Sequence, residues 1–390
     1  MSNSNVKDLD NEEVDIPSIA IWFSTGFFLG NSNFLYNKPY ELSKFGPNID
    51  WFYNPRDISL EEAVDEFANI FESLIYSKIK GKKLILPLSG GLDSRTIAAA
   101  LSNYGKIDNL VTISYELEGG VKETEYAKRI ANTFDWEFHS FKIPNGYLWP
   151  KINELSKINK CLIDFTHSRQ MAVIDKISRL GDLLLSGQWG DVLFDTPGVK
   201  HNANLDDQVH FSIKKNTKPG GIELAADLWD YWGFEGDFRK KLYQKIKELL
   251  LEIKINNPNS RIRAFKSIHW AHRWANEGLK IFDAHNEMLI PYYHDKMCEF
   301  VCTIPEKYLL NRKIQIEYIK RRAPELAKIS WQKYDMNLYN YKYFNNIYFP
   351  FRVLKFFKQR LKKKIYGGPQ LIQRNWELQF LGEKNDERVK

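Results

Sequence analysis

Cysteine is scarce in this sequence: 390 residues contain three, Cys161, Cys298 and Cys302. Their spacing fits neither a zinc site nor a disulfide framework, which argues against both kinds of structural staple. A reducing compartment is the simplest setting for such a chain. Cys298 and Cys302 are four residues apart in a predicted helix, and we interpret them as small buried hydrophobic residues.

Long apolar runs are missing as well. No segment approaches the uninterrupted apolar length that a membrane-spanning helix needs. Residues 1–17 are polar and acidic, without the basic and apolar regions of a secretory signal peptide. We expect these first residues to be disordered. Together these absences predict a cytoplasmic protein.

Neither sign of charge dominates the composition. Charged residues make up 27% of the chain and hydrophobic residues 43%, which is typical of a globular protein with a substantial core. The net charge of +7 suits an anionic substrate such as a nucleotide. It does not require a nucleic-acid partner, because the excess is small for this length and much of it lies near the C-terminus.

Short apolar runs alternate with helical patterns in the first half of the chain. A helix is predicted for residues 60–79, with Ser59 as its N-cap. Strands are predicted at 83–88, 109–115, 137–143 and 182–186, and helices at 93–104, 122–134 and 165–180. This order indicates an α/β fold with a parallel sheet covered by helices on both faces.

The flanking regions have different patterns. Residues 18–58 are rich in aromatic residues and in Gly, Asn and Pro, and they predict short strands and turns. Beyond about residue 205 the chain is predicted to be mostly helical, most clearly at 242–255, 261–282, 295–303 and 314–322. We expect residues 59–345 to form one compact catalytic unit and residues 346–390 to form a basic helix and tail.

The segment Ser89-Gly90-Gly91-Leu92-Asp93-Ser94 stands between a predicted strand and a predicted helix. Adjacent glycines let the backbone approach a ligand closely and adopt positive φ. The helix that follows directs its free N–H groups and positive dipole end toward an anion. A carboxylate such as Asp93 suits a phosphate site when magnesium bridges the two. The segment therefore predicts a site for magnesium and nucleotide phosphates, although its spacing is not that of a Walker P-loop.

This first loop resembles the pyrophosphate-binding loop of the N-type ATP pyrophosphatases, which cleave ATP between the α and β phosphates. Within that superfamily, the second loop, residues 186–191 (SGQWGD), resembles the Ser-Gly-Glu-Gly-x-Asp signature of asparagine synthetases. The resemblance implies that Asp93 and Asp191 share one magnesium ion in the crevice at the carboxyl ends of two strands. It also implies nucleotide contacts from Ser89, Gly90, Gly91, Leu92, Asp93, Ser94, Ser186 and Gly187.

Further segments extend the resemblance over roughly residues 20–335. Residues 287–295 resemble the family's Glu-x-x-x-Pro-Phe-Leu-Asp segment. Lys333 stands where the family has a lysine that faces the pyrophosphate and the charge developing at the α-phosphate. The resemblance also implies that adenine lies near Ile113 and Ser114, mostly through backbone contacts.

Several residues near these motifs have two interpretations. Arg95 either contacts phosphate or has a structural role. Glu123 and Glu125 either match the family's acidic pair or simply favour a helix N-terminus. The histidines His167 and His272 act either as bases or as ordinary polar or core residues.

The front of the chain departs from the glutamine-dependent members of the family. Those begin with a catalytic cysteine directly after the initiator methionine, whereas Ser2 stands here and no cysteine precedes Cys161. Residues 18–58 resemble only the end of a glutaminase domain. We therefore expect no glutaminase activity from this sequence.

The substrate region departs from the family as well. Gln188 replaces a glutamate near the acyl and ammonia path, and a neutral amide cannot act as a base. Leu289 replaces the arginine that usually precedes the Pro-Phe-Leu-Asp run. Residues 270–276 lack the acidic and basic pair with which asparagine synthetases hold aspartate. We expect a substrate other than aspartate.

The resemblance as a whole implies a ligase that uses ATP and magnesium to convert a carboxylate to its AMP ester and then to an amide. The expected acyl substrate is a small molecule, a sugar or a peptide. The nitrogen comes from ammonia, from an amine or from a separate ammonia-supplying subunit. Two alternatives stay open: a tRNA-modifying ATP pyrophosphatase, and a non-catalytic partner protein that resembles asparagine synthetase.

The C-terminal segment 351–365 (FRVLKFFKQRLKKKI) is basic and amphipathic. Its pattern places Leu354, Phe357, Leu361 and Ile365 on one helical face, with basic residues over much of the rest. We consider a terminal helix packed on the domain, a contact with an anionic membrane and, least favoured, a nucleic-acid contact.

Overall fold

The computed structural model describes residues 14–36, 45–105, 107–117, 123–165 and 168–343, together with residues 353, 357 and 360. A five-stranded sheet lies at the centre, and each of its strand pairs is parallel. Helices cover the sheet on both faces, and a mostly helical region follows it. The predicted α/β class is therefore confirmed.

The sequence predicts four of the five strands to within a few residues. The fifth strand is missed because it has only three residues and shows no periodicity of its own. The strands are β1 (Leu84–Pro87), β2 (Leu110–Leu117), β3 (Glu137–Ile143), β4 (Leu183–Leu185) and β5 (Glu287–Leu289).

The order of the strands across the sheet is β3-β2-β1-β4-β5. The chain moves outward from β1 through β2 to β3, and then returns to the other side of β1 for β4 and β5. Leu84 of β1 is aligned with Leu110 of β2 on one side and with Leu183 of β4 on the other. The order therefore reverses between β1 and β4, and open α/β sheets bind ligands at the carboxyl ends of such a pair.

The helices surround this sheet and extend the molecule beyond it. They are α1 (Ile16–Thr25), α2 (Leu60–Ile79), α3 (Asp93–Asn103), α4 (Glu123–Thr133), α5 (Leu148–Asn159), α6 (Ile174–Ile177), α7 (Gly190–Leu193), α8 (Leu205–Asn216), α9 (Gly221–Tyr231), α10 (Phe238–Glu252), α11 (Pro258–Phe265), α12 (Asn276–Asp283), α13 (Asp295–Cys302), α14 (Glu306–Leu309), α15 (Lys313–Arg322) and α16 (Pro324–Lys328). Short 3₁₀ turns lie at Arg169–Ala172, Ser178–Leu180, Pro291–Tyr293, Leu310–Arg312 and Leu338–Tyr343.

The N-cap prediction for α2 is confirmed in detail. The Ser59 hydroxyl accepts the N–H of Glu62 at 3.1 Å, and the Glu62 carboxylate accepts the N–H of Ser59 at 2.7 Å. This reciprocal capping box satisfies two backbone donors that the first turn would otherwise leave open. The buried face of α2 joins the core under the sheet.

The front of the described chain corrects two predictions. Residues 14–17 are ordered rather than disordered, because Asp15 caps α1 by accepting the N–H of Ser18 at 3.0 Å. The prediction of strands is wrong for residues 18–25, which lie in α1 until Gly26 ends it in the left-handed conformation. α1 packs on α9 in a second hydrophobic core that is separate from the core under the sheet.

The predicted helix at 261–282 is confirmed as α11 and α12, and its centre has an unusual form. Residues Lys266–Ala275 between the two helices make π-helical hydrogen bonds. Such segments are rare and occur frequently at functional sites. This π-helix lies beside the second loop, as described below.

None of the helices in the described ranges combines the length and the apolarity that crossing a bilayer requires. Most of the basic segment 351–365 lies outside the described residues, and so does His167. The contacts considered for the segment 351–365, with the domain, with an anionic membrane or with a nucleic acid, stay predictions.

Candidate active site

The first loop, Ser89–Ser94, follows β1 directly and is held by its own serines. The Ser89 N–H donates to the Ser94 hydroxyl at 3.1 Å, and the Gly91 N–H donates to the Ser89 hydroxyl at 3.2 Å. α3 begins at Asp93 and has no side-chain cap at Leu92. Its first N–H groups are therefore available to an anion, as the sequence predicts.

The glycines of this loop are required for a different reason from the one predicted. Neither Gly90 nor Gly91 has a positive φ. A Cβ on Gly90 would instead lie 2.5 Å from Cβ of Gln332, whose N–H donates to the Gly90 carbonyl at 3.1 Å. Gly90 therefore permits the close approach of the turn that carries Lys333.

The second loop, Ser186–Asp191, follows β4 and lies directly against the first. A Cβ on Gly187 would come within 2.9 Å of the Ser94 nitrogen, and a Cβ on Gly190 would overlap the Asp93 carboxylate. Asp191 is exposed in the first turn of α7, and its charge acts on Asp93. The structure thus brings together the two aspartates that the sequence selects, on neighbouring loops at the switch point of the sheet.

Asp93 is held by residues that the sequence analysis does not identify. Its Oδ1 atom forms an ion pair with Arg312 and accepts a hydrogen bond from the Gln315 amide at 3.2 Å. The Tyr292 hydroxyl donates to the Asp93 carbonyl at 3.3 Å. These three partners come from more than 190 residues away. Tyr292 lies in the 287–295 segment that resembles a family motif, but nothing in that segment predicts its contact with Asp93, and Arg312 and Gln315 have no local motif at all.

Burial and the neighbouring charges shift the pKa of the Asp93 carboxyl group, and these effects partly oppose each other. Burial raises its pKa to about 6, although the side chain keeps 26% of its surface exposed toward the crevice. The Arg312 guanidinium lowers the pKa, and the negative charge of Asp191 raises it. A cation placed between the two aspartates would favour the charged form of Asp93.

The donor set fits magnesium held together with phosphate. Magnesium is usually bound by one or two carboxylates plus substrate phosphates and water. Asp93 and Asp191 supply two carboxylates, and both polar contacts to the Asp93 side chain involve Oδ1. No cluster of three or more His, Cys, Asp or Glu side chains suited to a metal occurs among the described residues. An all-protein metal cage is therefore not seen there.

Lys333 lies on the turn beside the first loop but is exposed. Its ammonium is 5.7 Å from the ring centroid of Trp331 and 5.3 Å from that of Tyr334. The neighbouring Gln332 makes the contact with Gly90. The phosphate-facing role of Lys333 stays a prediction.

Of the two interpretations of Arg95, phosphate contact and a structural role, the observed contacts agree with the structural role. It is fully buried and donates to the carbonyls of Leu326, Ile329 and Ser330 at 3.3, 2.8 and 3.0 Å. Burial lowers the pKa of its guanidinium to about 10. Arg95 therefore connects α3, the helix that follows the first loop, to the segment that leads into the Lys333 turn.

The predicted adenine region lies beside the first loop. Ile113 and Ser114 are buried in the middle of β2, where Ile113 is aligned with Pro87 at the carboxyl end of β1. The Ile113 carbonyl accepts the N–H of Leu88 at 2.7 Å. Glu123 accepts a long hydrogen bond, 3.4 Å, from the Gln332 side chain. Adenine binding itself stays a prediction.

Aromatic rings form the wall of the crevice next to the second loop. Trp189 has a positive φ of 83° and its ring lies 5.1 Å from that of Tyr293 and 5.5 Å from that of Trp270. Trp274 stacks on Trp270 at 5.1 Å. The sequence predicts only a loop around Trp189, and the aromatic wall is seen only in the structure.

The π-helix also carries a half-buried cation, Lys266, and two buried histidines. The Lys266 ammonium lies 5.0 Å from the Trp270 ring centroid, and burial lowers its pKa while the charge of Asp191 acts in the opposite sense. Burial lowers the pKa of His269 to about 3 and that of His272 to about 4. Both histidines are therefore neutral near pH 7. Of the two interpretations of His272, a base and an ordinary polar or core residue, its burial agrees with the core residue.

Comparison with known proteins gives a family match and weak structural likenesses. The family model named asparagine synthase matches residues 81–325. No curated protein sequence matches the chain significantly.

Three solved structures match the chain at low similarity. An NMN synthetase from Francisella tularensis is 14% identical, with a TM-score of 0.28, covering 55% of this chain and 95% of its own. An NH3-dependent NAD synthetase from Campylobacter jejuni is 14% identical, with a TM-score of 0.25, and the match covers 49% of this chain and 95% of that protein. A U34-tRNA thiolase from Methanococcus maripaludis is 15% identical, with a TM-score of 0.25, and the match covers 70% of this chain and 82% of that protein. Likenesses this weak say nothing about activity.

The family match includes both loops and well over half of the chain. It begins just before β1 and ends just after α15, so it contains the whole sheet. The chain therefore belongs to the asparagine synthase family, a family of ATP-using ligases and pyrophosphatases.

Proposed function

We propose that this protein is an ATP-dependent amide ligase that forms AMP and pyrophosphate. In the proposed reaction it adenylates a substrate carboxylate and transfers the acyl group to ammonia or an amine. One observation carries the proposal: two loops, each with an aspartate, touch each other at the carboxyl ends of β1 and β4. Contact between two loops that each carry an aspartate is expected if both bind one complex of magnesium and triphosphate. It is less expected if the loops are only structural turns.

The proposed chemistry has two steps. A carboxylate oxygen of the substrate attacks the α-phosphorus of ATP, and the bond from that phosphorus to the bridging oxygen of pyrophosphate breaks. The amine nitrogen then attacks the acyl carbon, AMP leaves with the oxygen of the broken C–O bond, and the nitrogen gives up a proton. Amide, AMP and pyrophosphate are the products.

In this reaction the residues of the chain bind and orient rather than react covalently. The N–H groups at the start of α3 and the hydroxyls of Ser89 and Ser94 would bind the pyrophosphate portion. Asp93 and Asp191 would hold magnesium, which neutralises phosphate charge and polarises the α-phosphate when bound. Lys333 would add positive charge from the neighbouring turn.

The source of nitrogen is proposed to lie outside this sequence. The sequence has no cysteine before Cys161, and Cys161 is not near either loop in the chain. Gln188 has no basic group to remove a proton from ammonia. We therefore favour an amine that is already nucleophilic, or ammonia delivered by a separate subunit, and a cytoplasmic setting in keeping with the three free thiols.

The experiment that tests the proposal is ATP–pyrophosphate exchange with labelled pyrophosphate, magnesium and a panel of carboxylic acids. Exchange that requires one acid would establish adenylation. Asp191→Asn is the preferred variant, because Asp191 is exposed and its loss should not affect folding. Removal of one of two metal carboxylates is expected to lower the exchange rate by about a hundredfold or more, as for other groups that stabilise transition-state charge.

Asp227→Asn, an exposed aspartate on α9, is the matched control and should exchange at the wild-type rate. The proposal is wrong if no acid supports exchange and calorimetry finds no binding of Mg²⁺ with α,β-methylene-ATP. That outcome would favour the non-catalytic partner protein. RNA that co-purifies and is modified in an ATP-dependent reaction would favour the tRNA-modifying alternative.

A further inference from the structure

The carboxyl end of β5 carries a small pocket beside the second loop. Its volume is about 190 Å³, on the order of six water molecules. Most of its wall is apolar or aromatic, and the polar side chains belong to exposed His294 and half-buried Asp295. The lining residues are Phe45, Gly46, Leu289, Ile290, Tyr293, His294 and Asp295.

This pocket is in direct contact with the elements of the candidate active site. The Leu289 carbonyl accepts the N–H of Ser186, the first residue of the second loop, at 2.9 Å. The Tyr293 ring lies 5.1 Å from the Trp189 ring of the same loop. The preceding residue, Tyr292, donates to the Asp93 carbonyl. A molecule in the pocket would therefore lie beside the second loop, on the β5 side of the crevice.

Among the lining side chains the charged group is the Asp295 carboxylate, which accepts the N–H of Asn48 at 2.9 Å and would repel a second carboxylate on the substrate. Arg273, close along the chain to His272, is not among the lining residues; it is buried and donates to the Ile268 carbonyl at 2.7 Å. The His272 ring lies 5.5 Å from the Tyr293 ring and is neutral near pH 7. A Cβ on Gly46 would overlap the His272 ring, so this corner is closely packed. Burying an unpaired charge here would be costly.

We propose that this pocket binds the acyl part of the substrate, and that the substrate is a small monocarboxylic acid with an uncharged, apolar body. The inference rests on the proposed ligase function and narrows it. The apolar body lies against Leu289, Ile290 and Tyr293, and its carboxylate points back to the second loop. The Asp295 carboxylate selects against dicarboxylic acids, and the apolar residues select against sugar acids, most of whose hydroxyls would lose water without gaining partners there.

The test compares four probe acids, phenylacetate, hexanoate, aspartate and glucuronate, in ATP–pyrophosphate exchange. Phenylacetate or hexanoate is expected to exchange best. Leu289→Arg adds a charge to the pocket and should raise KM for that acid about tenfold or more, equivalent to about 1.4 kcal/mol. Leu289→Thr, a milder change, should raise KM in the same direction if arginine prevents folding. Leu251→Arg makes the same substitution at a 51% exposed site and should leave KM unchanged.

Calorimetry with Mg²⁺ and α,β-methylene-ATP separates this inference from the ligase proposal, because pocket variants should bind the nucleotide like the wild type. The inference is overturned if aspartate or glucuronate exchanges best, or if both Leu289 variants leave KM unchanged. Should none of the four acids exchange, saturation-transfer NMR with phenylacetate and the nucleotide analogue decides. A transfer signal that Leu289→Arg abolishes supports the pocket, and equal signals or none in both proteins overturn it.

Discussion

At the scale of single residues, Asp93 shows how a motif depends on distant partners. The loop that carries it is continuous in sequence, yet its carboxylate is paired with Arg312, which lies 219 positions away. Arg312 and the preceding Asn311 both have positive φ, a conformation that non-glycine residues seldom adopt. The surrounding packing therefore holds Arg312 in an unfavourable backbone conformation while its guanidinium meets Asp93.

Arg312→Met should destabilise the protein and weaken magnesium-dependent nucleotide binding. The side chain of Arg312 is 7% exposed and that of Asp93 26%, so the variant leaves a poorly solvated carboxylate without its cation. Breaking such a pair costs about 3–5 kcal/mol, and partial exposure of Asp93 favours the lower end. The free energy of unfolding in urea and calorimetric binding of Mg²⁺ with α,β-methylene-ATP measure the two effects.

The matched control is Arg321→Met, which removes another arginine from an aspartate pair. Arg321 and Asp65 are 2.8 Å apart but 38% and 64% exposed. Solvent screens such a pair, so the loss should be below about 1 kcal/mol. Equal losses of stability in the two variants would show that burial of the Arg312–Asp93 pair has no special importance.

At the scale of elements, α3 connects three parts of the site through consecutive residues. Asp93 faces the crevice, Ser94 closes the first loop, and Arg95 points to the opposite side and binds carbonyls of the segment that leads to Lys333. The short separation of these residues explains how one helix positions both the first loop and the turn that carries Lys333. The sequence alone leaves Arg95 undecided, because its role depends on carbonyls 231 or more residues away.

Arg95→Met should release the turn that carries Lys333. Methionine keeps the apolar stem but leaves the carbonyls of Leu326, Ile329 and Ser330 without this donor, at a cost of about 1–3 kcal/mol for each buried group left unsatisfied. Hydrogen exchange measured by mass spectrometry should become faster in residues 329–333. Nucleotide affinity should fall with it, because the turn rests on Gly90.

Arg129→Met, an exposed arginine on the neighbouring α4, is the control for the loss of positive charge near this turn. It should change neither exchange protection nor nucleotide affinity. Arg95→Met could melt at a lower temperature yet keep wild-type protection from hydrogen exchange in residues 329–333. In that case Arg95 stabilises the protein but does not hold the turn to α3.

At the scale of the whole molecule, the parts that the sequence predicts are those whose signals are local. The α2 capping box, the strands β1 to β4 and the two glycine-containing loops each depend on residues close together in the chain. The parts that it misses depend on distant packing: the three-residue β5, the Arg312–Asp93 pair and the aromatic wall. α1 is missed for a further reason, because the aromatic residues of that region suit a strand as well as a helix, and tertiary contact with α9 decides the outcome.

The described part of the chain has two hydrophobic cores, and three tryptophans join them. Trp51, Trp270 and Trp274 pack against both the core under the sheet and the core around α1, α9 and α10. The helical segment from α11 through the π-helix to α12 also runs from one core to the other. We therefore expect one cooperative unit, as the sequence predicts for residues 59–345, even though a chain of this length often unfolds in stages.

Unfolding in urea should accordingly give a single transition, with coincident midpoints by circular dichroism and tryptophan fluorescence. Trp270→Ala removes a ring that contacts both cores and stacks on Trp274, so it should separate the two midpoints as well as lower stability by about 3–5 kcal/mol. Leu155→Ala, a fully buried change in the core under the sheet alone, should lower stability by about 2–5 kcal/mol without separating them. Two transitions in the wild type would mean that the shared tryptophans do not couple the unfolding of the two cores. They would also mean that the crevice at the first and second loops can form without the helical region that follows the sheet.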